Sequence, residues 1–456
     1  MSEAKSGESI EADPGCRFAH PGYSPLRIMS ADRHIIPLSD AGAADHDRVG
    51  PKAANLAALA RAGLPTPGGV ALTGDAYRHQ LAHLGIAEMV QGFTAADPRV
   101  QRRLSVEIRL KLYEQPIAPA ILTPLLAAWH AQRVNSGQPG AIRSSALIED
   151  RAGANFAGQF ESFLGIVDEA AFLTAVRACW AALWTSNARR YMDSHGLNPA
   201  DTAMAVLIQP TVAARASGGA LSETADGQML ISATWGLGSA IAQGEVVPDR
   251  IVLSRQGFVR KIEPGRKDHR ETCGHAGTAP QAVSKTLARE PCLNAGQAVT
   301  LGRLVRKVEA LMGMAVEIEW ALDDAGFKLL QARPLHVEPA HVPDEIWLRH
   351  PGLNGHPAGI GWSSGRAVVV NCECELARVA PGDILVTKVA GPALSHILPR
   401  VAGVVAELGG STSHLASLAR ERGIPMVLGV LDATRHIPDG SQVAVDGVAG
   451  IVRWLR

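Results

Sequence analysis

The sequence predicts an α/β protein of two unequal domains, on three observations. Over residues 35–335 amphipathic helix-like stretches alternate with short apolar strands. A His- and Pro-bearing stretch at 336–343 then breaks the pattern, and residues 357–456 follow as short β segments around one helix. Composition agrees. Of 456 residues 46% are hydrophobic and only 4% aromatic, with 46 Gly and 28 Pro, which suits loop-rich domains with substantial cores and many small-residue turns. Basic and acidic residues number 44 each, so no charged face for nucleic acid or an anionic membrane is expected. Nothing approaches the roughly 18 consecutive apolar residues of a membrane span.

Residues 1–34 mix Gly, Pro, Ser and both charges without a basic region followed by an apolar core, which reads as a flexible leader on a cytoplasmic protein. Next, Val49-Gly50-Pro51-Lys52 forms a glycine turn ahead of a helix over 53–62, placing the Lys52 ammonium within reach of a phosphate. The block from Ala141 reads as an apolar stretch at whose end Arg143 begins a polar turn, where its guanidinium would fork onto phosphate oxygens. The small residues of Phe156-Ala157-Gly158-Gln159 let backbone approach a triphosphate closely. A helix is expected over 170–188, then an apolar strand over 206–210 whose Gln209 amide suits an adenine edge. A glycine turn follows at 235–239, and a further helix over 298–311.

Strand alternation puts Glu317 and Glu319 on one face, and a neighbouring antiparallel strand through Gln331 and Arg333 would run alongside. Carboxylate and amide oxygens suit Mg²⁺, which takes its remaining ligands from water and substrate phosphates, and Arg333 would offset the charge of a terminal phosphate. Residues 336–356 read as a hinge linker. In the last domain strands are expected over 367–370, 383–386, 403–407, 426–430, 442–446 and 451–455, with a helix over 413–422. Of sixteen histidines, His414 alone stands in the first turn of a helix behind a glycine turn. Unpaired N–H groups and the positive end of the helix dipole would stabilise a phosphoryl group there, and the same field keeps the ring a neutral nucleophile. Six scattered cysteines, only Cys372 and Cys374 being close, lack the four ligands of a structural zinc site and are expected as thiols.

Three motifs in this order carry a resemblance: Gly-Gly-Ser-Thr-Ser-His with Ala-Arg-Glu-Arg-Gly-Ile-Pro, the Arg-Ser-Ser-Ala block through Phe-Ala-Gly-Gln, and Ile-Glu-Trp with Leu-Gln-Ala-Arg-Pro. Together they resemble the phosphoenolpyruvate synthase and pyruvate phosphate dikinase family, to which rifampicin phosphotransferase is also similar. The resemblance implies an ATP-grasp domain over 35–335 that binds Mg-ATP, and a swivelling β/β/α phosphohistidine domain over 357–456. It further implies that His414 attacks the β-phosphorus, releasing AMP, and later delivers a phosphoryl group to an acceptor. On that basis Lys52, Arg143, Arg333, Gly158 and Gln159 belong to the nucleotide site, Gln209 contacts adenine, and Glu319, Gln331 and Glu317 surround Mg²⁺.

The resemblance does not extend to the pyruvate-binding barrel of the dikinases, so the expected acceptor is a small molecule or a partner protein, with room for a homo-oligomer. Two departures stand out. Pro51 replaces a usual second glycine, and Ser239 replaces a common acidic residue. The alternative expectation is an ATP-dependent ligase that condenses two organic substrates through a phosphorylated intermediate; a non-enzymatic nucleotide-sensing module ranks last.

Overall fold

Strands form where the sequence alternates or runs apolar, and in the computed structural model they assemble into four sheets among the described residues, which are 34–150, 154–274, 277–337, 347, 350 and 352–455. The expected leader lies outside these residues except for His34, as do 338–346, 348–349 and 351 of the expected linker. From His34 onward the chain forms one compact unit.

The first sheet has five strands in the order Ile35–Pro37, Val70–Leu72, Met204–Pro210, Gly140–Ala146, Ser162–Ile166. Its neighbour has six, in the order Gly326–Pro334, Val316–Asp323, Ala216–Leu221, Met229–Trp235, Asp249–Leu253, Val259–Glu263. Helices His46–Arg61, Glu169–Ala182 and Ala295–Met312 bury apolar faces against these sheets. The last ends on Gly313 in the left-handed conformation, as an αL cap requires. The helix expected over 170–188 is two helices, because the Thr185 hydroxyl accepts from the Ala188 N–H and starts a second one, Ser186–Ser194. Arg143 likewise does not begin a turn. It lies inside a central strand paired on both sides, and the turn comes after Ala146.

The C-terminal sheet has eight strands, in the order Gly352–Asn354, Ile451–Leu455, Gln442–Asp446, Trp362–Val370, Ile384–Thr387, Gly403–Ala406, Met426–Leu428, His356–Pro357. Its long strand Trp362–Val370 pairs antiparallel with Gln442–Asp446 through its first half and parallel with Ile384–Thr387 through its second. Two short strands complete the edges of this sheet: Gly352–Asn354, which falls within the span read as linker, and His356–Pro357, which straddles its end. Helix His414–Glu421 packs its buried Leu415, Ala416, Leu418 and Ala419 into an apolar cluster that runs without a break into the first lobe. Burial of this kind stabilises by about 25 cal/mol per Å² of apolar surface. Among the described residues no helix is long and apolar enough to cross a membrane. Cys372 and Cys374 are joined by a disulfide, whereas Cys179, Cys273 and Cys292 are thiols.

Candidate active site

The hairpin of Val316–Asp323 with Gly326–Pro334 sets opposite pairs in register: Glu317 faces Arg333 and Glu319 faces Gln331. Period-two alternation puts all four on one surface. Arg143, on the neighbouring sheet, reaches onto it. Its Nη1 donates to the Leu330 carbonyl at 2.6 Å, and its Nη2 donates to both Glu319 Oε2 (2.8 Å) and Gln331 Oε1 (2.9 Å). One guanidinium nitrogen thus bridges two hard oxygen donors, as a bound cation would.

Lys52 and Arg333 are also paired with carboxylates. The Lys52 ammonium donates to the Ser144 carbonyl (3.0 Å) and lies 3.1 Å from Glu149, which is buried. Its turn exists because Gly50 sits at φ 73° with its Cα pressed on Ser145, where a Cβ would come within 2.4 Å of the backbone oxygen. Arg333 Nη2 lies 3.0 Å from Glu317 Oε2. Asp150, at φ 54°, is pushed up to about 7 by burial against the opposing field of Arg333.

His414 begins its helix with Ser413 as the cap, the Ser413 hydroxyl accepting from the Ala416 N–H at 3.2 Å. The ring opens into a cavity of about 500 Å³, within the size range of small-molecule sites. Arg143, Gly158, Gln209, Glu317 and Glu319 line the same cavity, whereas Lys52, Gln331 and Arg333 do not line it and are joined to it through Glu149, Arg143 and Glu317, their hydrogen-bond or ion-pair partners. Burial pushes the His414 imidazolium down to about 4, with Glu319 opposing and Arg333 and Lys52 adding to the shift. Burial alone would raise the Glu319 carboxyl; Arg143, with His414, Arg333 and Lys52, overrides it and holds Glu319 below its usual range. Glu319 nevertheless keeps 39% of its side chain exposed, so it remains open to a ligand.

Gln209 reaches the cavity wall with its Nε2 donating to the Gly68 carbonyl at 2.8 Å, which leaves its Oε1 as a free acceptor direction. Gln159 does not reach the cavity. Its side chain is buried, donating to the Ala157 carbonyl and accepting from Asn187. Of that turn it is Gly158 that meets the site: a Cβ there would lie 3.1 Å from His414 Nδ1.

Comparison with known proteins bears on this geometry. The family model described as pyruvate phosphate dikinase, AMP/ATP-binding domain, matches residues 46–347, and that described as PEP-utilising enzyme, mobile domain, matches residues 379–450. The chain belongs to the pyruvate phosphate dikinase family. It is similar to a phosphoenolpyruvate synthase of Aeropyrum pernix (32% identity, 89% of this chain and 56% of that protein). It is also similar to a probable phosphoenolpyruvate synthase of Methanothermobacter thermautotrophicus (30%, 92% and 63%) and to the phosphoenolpyruvate synthase of Escherichia coli K12 (30%, 95% and 58%). The chain therefore spans less than two thirds of the length of these relatives. A solution structure of Enzyme I matches 17% of this chain and 33% of that one at 31% identity and a TM-score of 0.16, too partial to bear on the argument.

In this dikinase-family chain the two family segments meet through a set of contacts that the motifs alone do not reveal. Arg420, on the His414 helix, crosses to Glu317 (Nη2 to Oε2, 3.1 Å), so that Glu317 accepts from Arg420 and Arg333 at once and is held below its usual range despite burial. Arg420 also donates to the Ser411 and Ala358 carbonyls, fixing the loop ahead of His414. Glu421, with 5% of its side chain exposed, accepts from the Tyr191 hydroxyl (2.8 Å) and the Asn155 N–H (2.9 Å) and lies 3.1 Å from His195 Nε2. Thr412 abuts Gly219, where a Cβ would approach it to 2.6 Å. Arg420 and Glu421 stand inside the quoted Ala-Arg-Glu-Arg motif, which was the available signal. Their partners lie 103 and 230 residues away and gave none.

Proposed function

We propose that this chain is an ATP-dependent phosphotransferase of the dikinase type, acting in the cytoplasm, in which His414 takes a phosphoryl group from Mg-ATP and passes it to a small-molecule or partner-borne acceptor. The observation that carries the reading is that His414 opens into the same cavity as Arg143 and Glu319, as a neutral ring. A neutral imidazole nitrogen is a nucleophile, and enclosure by two lobes excludes the water that would compete with it.

In the proposed reaction a ring nitrogen attacks the β-phosphorus. The new N–P bond forms as the bond from that phosphorus to the oxygen bridging it to the α-phosphate breaks, and AMP leaves with that oxygen. The γ-phosphoryl group then passes to water or phosphate, and the group left on the ring goes to the acceptor. Little covalent chemistry is asked of the protein beyond alignment and charge stabilisation. Lys52, Arg143 and Arg333 would exchange their carboxylate partners for phosphate oxygens. Gly158 lets backbone approach the phosphates, and the Gln209 amide takes the base.

Glu319 and Gln331 fit Mg²⁺ by donor type, both offering hard oxygens that already share one cationic hydrogen-bond donor, with Glu317 beside them. When bound, the ion would neutralise phosphate charge. Rapid separation of nucleotides after mixing with Mg-ATP tests the reading. AMP is the expected product, about one equivalent per chain in the first turnover, and His414→Ala yields none. ADP as the nucleotide product, or AMP formed unchanged by His414→Ala, would overturn it.

A further inference from the structure

One contact between the two family segments calls for a proton that the proposed reaction does not use. Helix Ser186–Ser194 is closed by His195 as its C-cap, and the ring meets oxygen at both nitrogens. Its Nδ1 lies 2.9 Å from the Tyr191 carbonyl and 3.1 Å from the Ser194 hydroxyl, and its Nε2 lies 3.1 Å from Oε1 of Glu421, on the helix that begins with His414. The Ser194 hydroxyl donates to the same Tyr191 carbonyl at 2.7 Å and accepts from Arg422 Nη2 at 3.3 Å, so its oxygen turns a lone pair to Nδ1. Glu421 in turn gathers donors, the Tyr191 hydroxyl and the Asn155 N–H.

Either neutral tautomer sets a ring lone pair against an oxygen. With the proton on Nδ1, the lone pair of Nε2 faces the Glu421 carboxylate. With the proton on Nε2, the lone pair of Nδ1 faces the Tyr191 carbonyl. Imidazolium donates at both nitrogens and meets every partner. The Tyr191 carbonyl belongs to the last turn of its helix, where unpaired carbonyls and the negative end of the dipole favour a cation. Among the described residues the charged and titratable groups that face the ring are Glu421, Tyr191 and Arg422. Burial, with Glu421 beside it, raises the Tyr191 phenol, which therefore keeps its own proton. Arg422 opposes a second cation, but its guanidinium stands over the Tyr191 ring, 5.9 Å from the centre, whereas Glu421 touches the imidazole itself.

Resting on the phosphotransfer reading, in which the segment bearing His414 docks to take up a phosphoryl group and parts to deliver it, we infer that His195 is a positioning residue that docks as imidazolium. Each closure then takes one proton from solvent onto the ring, and each parting at neutral pH returns it. An imidazole free in water is neutral above about pH 6.5. The contribution of His195 to docking is therefore full below that pH and is lost as the pH rises beyond it. His414 titrates near 4, so its own proton does not account for this dependence.

The test uses the full chain without nucleotide. Ring ¹⁵N shifts, assigned by their absence from His195→Gln, should show both nitrogens of His195 protonated at about pH 7, and a mostly neutral ring in Glu421→Gln. Hydrogen exchange, corrected for intrinsic rates, gives the docking equilibrium. Protection at 411–421 and 154–158, relative to the central strands of the five-stranded sheet, should fall about tenfold between about pH 6 and pH 8.5, the loss expected for a charge-assisted hydrogen bond. His195→Gln keeps a donor without a titrating proton and should abolish that fall. A neutral His195 ring in the unaltered chain, or the same fall in His195→Gln, would overturn the inference. A chain that forms AMP through His414 with a neutral His195 sinks this inference alone. A chain that shows the proton-linked docking yet forms no AMP sinks the phosphotransfer reading alone.

Discussion

His414 stays unprotonated because two lobes close around it, and this makes its titration a reporter of its setting. Its pKa is pushed from 6.5 down to about 4, so the folded state disfavours the proton that the unfolded chain would accept. Its contribution to stability is full above pH 6.5 and is lost as the pH falls toward 4. Ring NMR of the nucleotide-free chain should show a histidine resonance, absent from His414→Gln, that titrates near pH 4; titration near 6.5 would contradict an enclosed ring. A second test concerns space. Gly219→Ala sets a Cβ 2.6 Å from Thr412, closer than atoms tolerate, so the loop ahead of His414 must shift. Such misplacement of a reacting group is expected to slow His414 phosphorylation by about a hundredfold, measured in single-turnover mixing with nucleotide binding followed in parallel. An unchanged rate would show that this contact does not set the position of the ring.

At the scale of elements, the acidic hairpin was legible in the sequence because strand period sets Glu317 and Glu319 on one face with an antiparallel neighbour carrying Gln331 and Arg333, whereas the pairing of Glu317 with Arg333 and Glu319 with Gln331 depends on a register shift between Glu319 and Trp320 that the pattern does not announce. The helix behind the glycine turn was legible for the same local reason, since Ser413 is a strong cap residue directly before His414. Other features depended on partners remote in sequence. Arg143 reads as the start of a turn until strands from 162–166 and 204–210 pair with both its edges. The Gln159 side chain could face either way until Asn187 and Ala157 hold it away from the cavity. Nothing in the local pattern announces that Glu149 will hold Lys52. Ser413→Ala removes the cap of an eight-residue helix and should cost about 1 kcal/mol, read as a lower denaturant midpoint with an unchanged slope; an unaltered midpoint would show that packing alone holds this helix.

Over the whole molecule, charge is balanced across the junction of the two family segments. Arg420 and Arg333 share Glu317, while Glu421 gathers the Tyr191 hydroxyl, the Asn155 N–H and His195. Incoming phosphates that draw Arg333 away would leave Arg420 as the partner of Glu317, so nucleotide arrival need not release the histidine-bearing domain. Glu421→Ala leaves buried donors unpaired on the opposite lobe, a loss of about 1 to 3 kcal/mol. Hydrogen exchange at 411–421 and 154–158 should then accelerate at least fivefold, with the central strands of the five-stranded sheet unaffected; equal protection in the variant would show that Glu421 does not hold the junction closed.

In the proposed reaction His414 carries a phosphoryl group taken from the β-position of ATP. The most direct measurement mixes the chain with Mg-ATP labelled at the β-phosphorus, quenches in base, and maps the label on peptides. Label is expected on the peptide containing His414, stable in base, lost in acid and absent from His414→Ala. Protein left unlabelled while ATP is consumed, or label that persists in the variant, would contradict it.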